Sequence, residues 1–384
     1  MSVLDSALKR GFLSACEAIR DGSLELVTPE GHHHRFGAGG PEAVLELKDW
    51  AAARMVALRG DVGFGEAFVR GLWDSPSVEA VVTVAARNLR AIGSRARPAW
   101  PVALAFRLAD RVLNANSPRG AARNIRAHYD VGNEFYVHWL DRSMTYSSAL
   151  FAEGDDLEAA QARKYARILG RLAPGERVLE IGCGWGGFAE AAADQGRQVT
   201  GITISPAQKA WADARLDGRA EIRLQDYRRT EGRYDNIVSI EMIEAVGERY
   251  WPVYFATLKA RLAEGGRAML QAITVPDGNF AAYRASSDYI RRHVFPGGML
   301  LSESVIRRET ARAGLEVREV FAFGQDYART LRLWRDRMLA ARPRLERLGF
   351  DAPFLRGWLY YLESCAAAFA IGRTNVLQVE LAHG

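Results

Sequence analysis

The segment VLEIGCGWGGF (178–188) places an acid and two closely spaced glycines at the end of an apolar run. Glycine lets backbone approach a ligand closely, so Gly182 and Gly184 mark a ligand-binding turn. The spacing is G-x-G-x-G-G, not the G-x-G-x-x-G of dinucleotide binders. Glu180 stands just before the turn, where it would repel a pyrophosphate but accept from a cationic or hydroxyl-bearing cofactor end. The next three apolar runs end in polar clusters of the same kind. Thr203 and Ile204 are followed by Gln208, and Gln225, Asp226 and Tyr227 offer two hydrogen-bonding side chains and an aromatic face for an adenine ring. The fourth cluster is Glu241-Met242-Ile243-Glu244, and a carboxylate such as Glu244 at a strand terminus needs a partner. A ligand-free βα turn would explain the first cluster alone. Four in register point to a bound cofactor.

Metal chemistry is not expected. His32, His33 and His34 are consecutive in a turn-like stretch, where neighbouring side chains rarely converge on one ion. His128, His138 and His293 show no ligand spacing, and Cys16, Cys183 and Cys365 are far apart.

The elements that must carry these clusters alternate from about Pro174. RVLEIG, QVTGIT, AEIRLQ, YDNIVSI and RAMLQAIT read as strands, separated by helical stretches. One helix opens at Ser205 and Pro206, an N-cap and first-turn pair. This pattern predicts an α/β fold, a doubly wound and mainly parallel sheet that binds its ligand at the carboxyl ends of the strands. Residues 274–298 interrupt the alternation as a lid-like insertion. Thr330–Ala370 is strongly helical, and NVLQVELA reads as a closing strand. Residues 1–93 mix short strands and helices as a smaller α+β domain, 94–122 form a basic linker, and 123–384 form the α/β domain.

The 384 residues are 48% hydrophobic and 25% charged, which excludes disorder and a small disulfide scaffold. No stretch of about 20 residues is free of charge, so no spanning segment is expected. MSVLDSALKRGF lacks the apolar core of a leader, and widely spaced thiols suit a reducing compartment, so a cytoplasmic location is expected. The chain's net charge is +5, yet 94–126 carries seven Arg against Asp110 alone, leaving the rest at −1. One basic segment points to an anionic surface contacted at one place. Leu104, Leu108 and Val112 share one helical face there, which fits either a connecting helix or a membrane-surface helix.

HYDVGNEFY (128–136), MTYSSALF (144–151), LEIGCGWGGF, GITISPAQ, LQDYR, SIEMIEAVG (239–247), YIRRHVFPGG (289–298), FGQDYARTLRLW (323–334) and YYLESCAAAF (360–369) follow one another along the chain. Together they resemble the cyclopropane-fatty-acid synthases, S-adenosylmethionine enzymes that modify cis double bonds of phospholipid acyl chains. GDVGFGEAFVRGLWDSP (60–76) resembles the N-terminal domain of the bacterial lipid-acting members, so the likeness covers nearly the whole chain.

The resemblance implies S-adenosylmethionine as cofactor, with Tyr146 and Ser147 added to its binding residues. It implies attack of the alkene on the sulfonium methyl, then removal of a proton from the resulting cation as the ring closes. In the family a bound bicarbonate is the base. Of the residues that hold it, Glu244, Tyr327 and Cys365 match here. Ser148 stands in place of a Cys, its hydroxyl a donor for the anion, and Gln271 stands in place of the His of bacterial members. Ala245 replaces the His after the motif Glu, in a form that resembles a branch shared with plant synthases. Rerouted deprotonation would give a methyl- or methylene-branched chain instead of a ring. The implied partners are unsaturated phospholipids at the membrane surface, a second copy of the chain, and a downstream redox enzyme, with peripheral membrane association. Small-molecule N-methylation on the same fold is an alternative, as is cofactor binding without catalysis. No nucleic-acid recognition motif accompanies the basic segment.

Overall fold

The computed structural model describes residues 3–95 and 132–384 and divides into two units. The basic segment beyond Arg95, with His128, lies outside the described residues. Among the described residues the first unit gathers 3–95, 286–294 and 339–371, and the second 132–285, 295–338 and 372–384. The division departs from the linear one expected from the sequence. Its physical reason is aromatic packing: Tyr289 and Tyr360 join the core built by Leu24, Leu45, Phe68 and Trp73.

In the first unit, β1 (Gly22–Val27), β2 (His33–Ala38), β3 (Glu42–Leu47) and β4 (Trp73–Asp74) form a sheet of order β2-β1-β3-β4. Alternation places Leu24 and Leu26 of β1 and Ala43, Leu45 and Leu47 of β3 in the core. His33 and His34, expected in a turn, lie on the edge strand β2, and His33 Nδ1 sits 2.9 Å from Glu25 Oε1. Trp73 is fully buried, its ring stacked on Phe64 at 4.3 Å and its indole N–H bonded to the Phe64 carbonyl.

The second unit is the expected α/β layer. Its strands are β5 (Arg177–Ile181), β6 (Gln198–Thr203), β7 (Glu221–Leu224), β8 (Tyr234–Ile240), β9 (Leu262–Thr274), β10 (Leu315–Ala322) and β11 (Asn375–His383). They run in the order β10-β11-β9-β8-β5-β6-β7, and β11 pairs antiparallel with both neighbours while the remaining pairs are parallel. Period-two alternation sorts the side chains onto two faces. Leu179, Ile181, Ile237 and Leu270 pack under Phe255 and Leu258. Val178, Val238 and Met269 pack under Ile168 and Phe188 on the other face. By the same alternation Glu180, Gln271 and Gln378 point to that second face, toward the helix Leu157–Leu169. This helix is capped by Asp156, which accepts from the Ala159 N–H at 2.8 Å. Among the described residues no helix is long and apolar enough to cross a membrane.

Candidate active site

β8 ends at Ile240, and the next residue, Glu241, adopts φ 49°, a left-handed conformation that non-glycine residues rarely take. Its amide still donates to the Gln271 carbonyl of β9 at 2.8 Å. The turn carries the Glu241 carboxylate into a ring of donors. Oε1 accepts from the Ser148 N–H (2.9 Å) and from Gln271 Nε2 (2.7 Å), and Oε2 accepts from the Tyr327 hydroxyl (2.7 Å). Left-handed backbone costs a non-glycine residue about 1–2 kcal/mol. Each hydrogen bond to a charged group returns about 1.5–3 kcal/mol. The bonds outweigh the turn.

The donors are themselves held. Gln378 Nε2 donates to Gln271 Oε1 (3.0 Å), and Arg167 donates to Gln378 Oε1 (2.9 Å). Arg167 has only donors, so it sets the Gln378 amide, which turns the Gln271 NH2 toward Glu241. The Ser148 loop is tied to the helix that starts at Gly324: Ala149 N–H donates to Thr330 Oγ1 (3.1 Å) and Phe151 N–H to Asp326 Oδ2 (3.0 Å). Burial raises the Glu241 carboxyl, and the bonds from Tyr327, Gln271 and Ser148 pull it back toward its charged form.

Glu244, three residues on, is different. One oxygen accepts from the Ile273 N–H at 2.5 Å, and the other is buried without a hydrogen-bond partner among the described residues. Burial and the neighbouring Glu241 charge push Glu244 up to about 8. Glu244 thus holds its proton more tightly than a free carboxyl does, while the donors around Glu241 favour its charged form.

At the end of β5, Gly182 (φ 81°) leaves no room for a side chain: a Cβ would lie 2.8 Å from Met242 Cγ. A Cβ on Gly184 would meet nothing within 4 Å. Glu180 is buried, and its Oε2 has no hydrogen-bond partner among the described residues. Burial pushes its carboxyl up to about 8, against the pull of Lys164. Lys164 is fully buried, donates to Ser147 Oγ at 2.7 Å and is pushed down to about 7 by that burial. Beside it Gln161 Nε2 donates to the Ser147 carbonyl (3.0 Å). Tyr146 packs on Trp334 at 5.3 Å and on Tyr136 at 5.6 Å.

The structure thus brings Ser148, Gln271 and Tyr327 together, around Glu241. Ser148 acts through its amide, because its hydroxyl is spent on the Ala149 carbonyl at 3.0 Å. This corrects the expectation of a hydroxyl donor. Cys365 belongs to the first unit, on the helix Ala352–Ala370, with its thiol raised by burial. Thr203 Oγ1 donates to Gln208 Oε1 (2.8 Å), and Ile204 follows Thr203 at the end of β6. Asp226 accepts from the Arg228 N–H and guanidinium, Gln225 Nε2 donates to the Arg229 carbonyl, and the Tyr227 ring meets Tyr254 edge-on within the core. Sequence reasoning missed Glu241 as a centre, and it missed Lys164 and Gln161. Their signals were a second acid three residues before Glu244 and a Gln-x-x-Lys spacing on one helical face.

Residues 116–379 match the family described as mycolic acid cyclopropane synthetase. The tuberculostearic acid methyltransferase UfaA1 of Mycobacterium tuberculosis is 38% identical, over 92% of this chain and 86% of that protein. The cyclopropane-fatty-acyl-phospholipid synthase of Escherichia coli is 33% identical, over 90% of this chain and 89% of its own. Among solved structures, the mycolic acid cyclopropane synthase CmaA1 complexed with SAH and CTAB aligns with a TM-score of 0.63 and 28% identity. It covers 68% of this chain and 97% of its own. With its sheet, its glycine turn and its carboxylate cluster, the chain belongs to the mycolic acid cyclopropane synthetase family of S-adenosylmethionine-dependent methyltransferases.

Proposed function

We propose that this protein transfers the methyl group of S-adenosylmethionine to the cis double bond of unsaturated acyl chains in membrane phospholipids. The product is a cyclopropane or a methyl- or methylene-branched chain. The observation that carries the substrate choice is coverage. The phospholipid synthase and UfaA1 match about nine-tenths of the chain, whereas the mycolic acid enzyme covers 68% of it. The basic segment would meet anionic headgroups.

S-adenosylmethionine, when bound, supplies an electrophilic methyl group on a positively charged sulfur. The residues fit such a cofactor: Glu180 keeps a buried oxygen without a partner, and the space beside Gly184 is open. Glu180 would accept from its polar end, while Gly182 and Gly184 let backbone come close. The Glu241 carboxylate would stabilise a carbocation developing on the acyl chain and take up its proton.

The test is incubation with methyl-labelled S-adenosylmethionine and vesicles of cis-monounsaturated phospholipid, followed by mass spectrometry of the fatty acids. Label in a ring or branch is expected. Label appearing only in a soluble amine, or cofactor binding with no labelled lipid, would sink the reading. Vesicle binding should also weaken as salt rises.

A further inference from the structure

Resting on that reading, we propose that the base of this enzyme is its own Glu241, a built-in carboxylate standing where relatives are expected to hold a bicarbonate ion. A bicarbonate does not fit this cluster. The three donors that would grip it, the Ser148 amide, Gln271 and the Tyr327 hydroxyl, are already bonded to the two Glu241 oxygens. A second anion there would be buried beside a carboxylate that already holds these three donors. A carboxylate presents the same flat pair of oxygens as bicarbonate, so the donor set suits it equally.

Two further observations agree. The left-handed backbone at Glu241 accompanies the placing of the carboxylate in the ring. The Arg167–Gln378–Gln271 relay fixes the amide so that a donor, not an acceptor, faces Glu241. Oε2 takes a bond from Tyr327 alone among the described residues and so keeps a lone pair for a proton.

In the step itself, the carbocation formed on the acyl chain by methyl delivery loses a proton to Glu241 Oε2. The C–H electron pair closes the new C–C bond of a ring, or becomes the C=C bond of a methylene branch. One positive and one negative charge are cancelled. Glu241 is left as a neutral acid and returns its proton to water before the next turnover.

The experiment compares wild type, Glu241→Ala and Glu241→Gln in buffer freed of carbon dioxide, with and without added bicarbonate or formate. Wild-type turnover is expected to be independent of bicarbonate. Both variants should lose at least ~100-fold in turnover, with S-adenosylmethionine affinity by calorimetry kept within a few-fold. Formate or bicarbonate should restore part of the activity to Glu241→Ala, whose donors are vacant, and none to Glu241→Gln. Without cofactor, formate should raise the melting temperature of Glu241→Ala and not that of wild type. Wild-type turnover that vanishes without bicarbonate and returns with it would overturn the proposal, as would near-normal turnover of Glu241→Gln. The wild-type arm decides even if Glu241→Ala fails to fold. Wild type that labels no lipid in any buffer would overturn the function above and this inference with it.

Discussion

The cofactor end and the Glu241 end of the α/β unit are both buried and charged, yet they differ in what they lack. At the cofactor end Glu180 keeps an oxygen with no partner, and the space beside Gly184 is open. At the other end both oxygens of Glu241 are bonded, and the donors are held by further bonds from Gln378 and Arg167. An unsatisfied buried polar group costs about 1–3 kcal/mol. A protein that leaves one at the carboxyl end of a central strand stores a cost that a ligand can relieve. A completed ring has nothing to gain from another anion, and it serves to hold one carboxylate in one place. The two ends thus divide the work: one is made to be filled, the other to stay as it is.

Beyond the Glu241 variants, the largest effect should come from the unfilled end. Glu180→Gln replaces a carboxyl acceptor by an amide without changing size, so S-adenosylmethionine affinity should fall by ~10- to 100-fold, the worth of a hydrogen bond to a carboxylate that ionises on binding the cofactor. The apo protein should melt at the same temperature or higher, because a buried ionisable group with one unpartnered oxygen has been replaced by a neutral amide. Calorimetry and a melting curve check both. A variant that binds normally would mean that Glu180 is structural and the contrast between the ends is false.

A smaller loss is expected from Gln378→Leu, which strips Gln271 Oε1 of its donor and frees the amide to rotate. Turnover should drop by about tenfold, near the worth of one neutral hydrogen bond, while cofactor affinity stays unchanged. Activity with bicarbonate held constant separates this from Glu180→Gln. Equal damage to affinity and turnover would show that the relay serves the whole unit.

Much of this was legible in the residues. The glycine turn, the Ser205–Pro206 helix start and the alternating strands carry local signals that tertiary packing had no reason to override. Gln271, Ser148 and Tyr327 were found through the family likeness, and the structure sets them around one point. Glu241 was seen in its cluster but not as its centre, because a strand pattern cannot show that the chain turns left-handed one residue after it ends. Ser148 was assigned by its hydroxyl, although the competing carbonyl of the next residue takes that proton. The division of the chain was missed for a similar reason: Tyr289 and Tyr360 join the first unit's core across more than two hundred residues, beyond the reach of any local pattern.

The Glu244 side chain offers a pH test of how the charge is shared. Its carboxyl is raised from 4.5 to about 8, so the folded state binds the proton more tightly than the unfolded chain does. The stability it contributes is therefore fully present below about pH 4.5 and is lost as pH rises through 8. Glu244→Gln, which cannot ionise, should lose this dependence. Its melting temperature relative to wild type should climb by about 2 °C or more between pH 6 and 9. A flat difference would place the proton elsewhere and weaken the claim that Glu244 holds its proton more tightly than a free carboxyl does.

The smallest effect should come from the element that the two ends share. The helix Leu157–Leu169 sends Gln161 and Lys164 to Ser147 and Arg167 to Gln378. Its cap, Asp156, touches neither cluster directly. Asp156→Ala should cost about 1 kcal/mol of stability, seen as a modest fall in melting temperature, with cofactor affinity and turnover both within twofold of wild type. The packing of Leu157, Ile168 and Leu169 against the sheet holds the helix in place without its cap. If the cap variant lost affinity but kept turnover, the cofactor end would depend on the first turns of the helix more than the Glu241 end does on its last. The helix would then be two supports in series, and Lys164, nearer the cap, would be the one that frays.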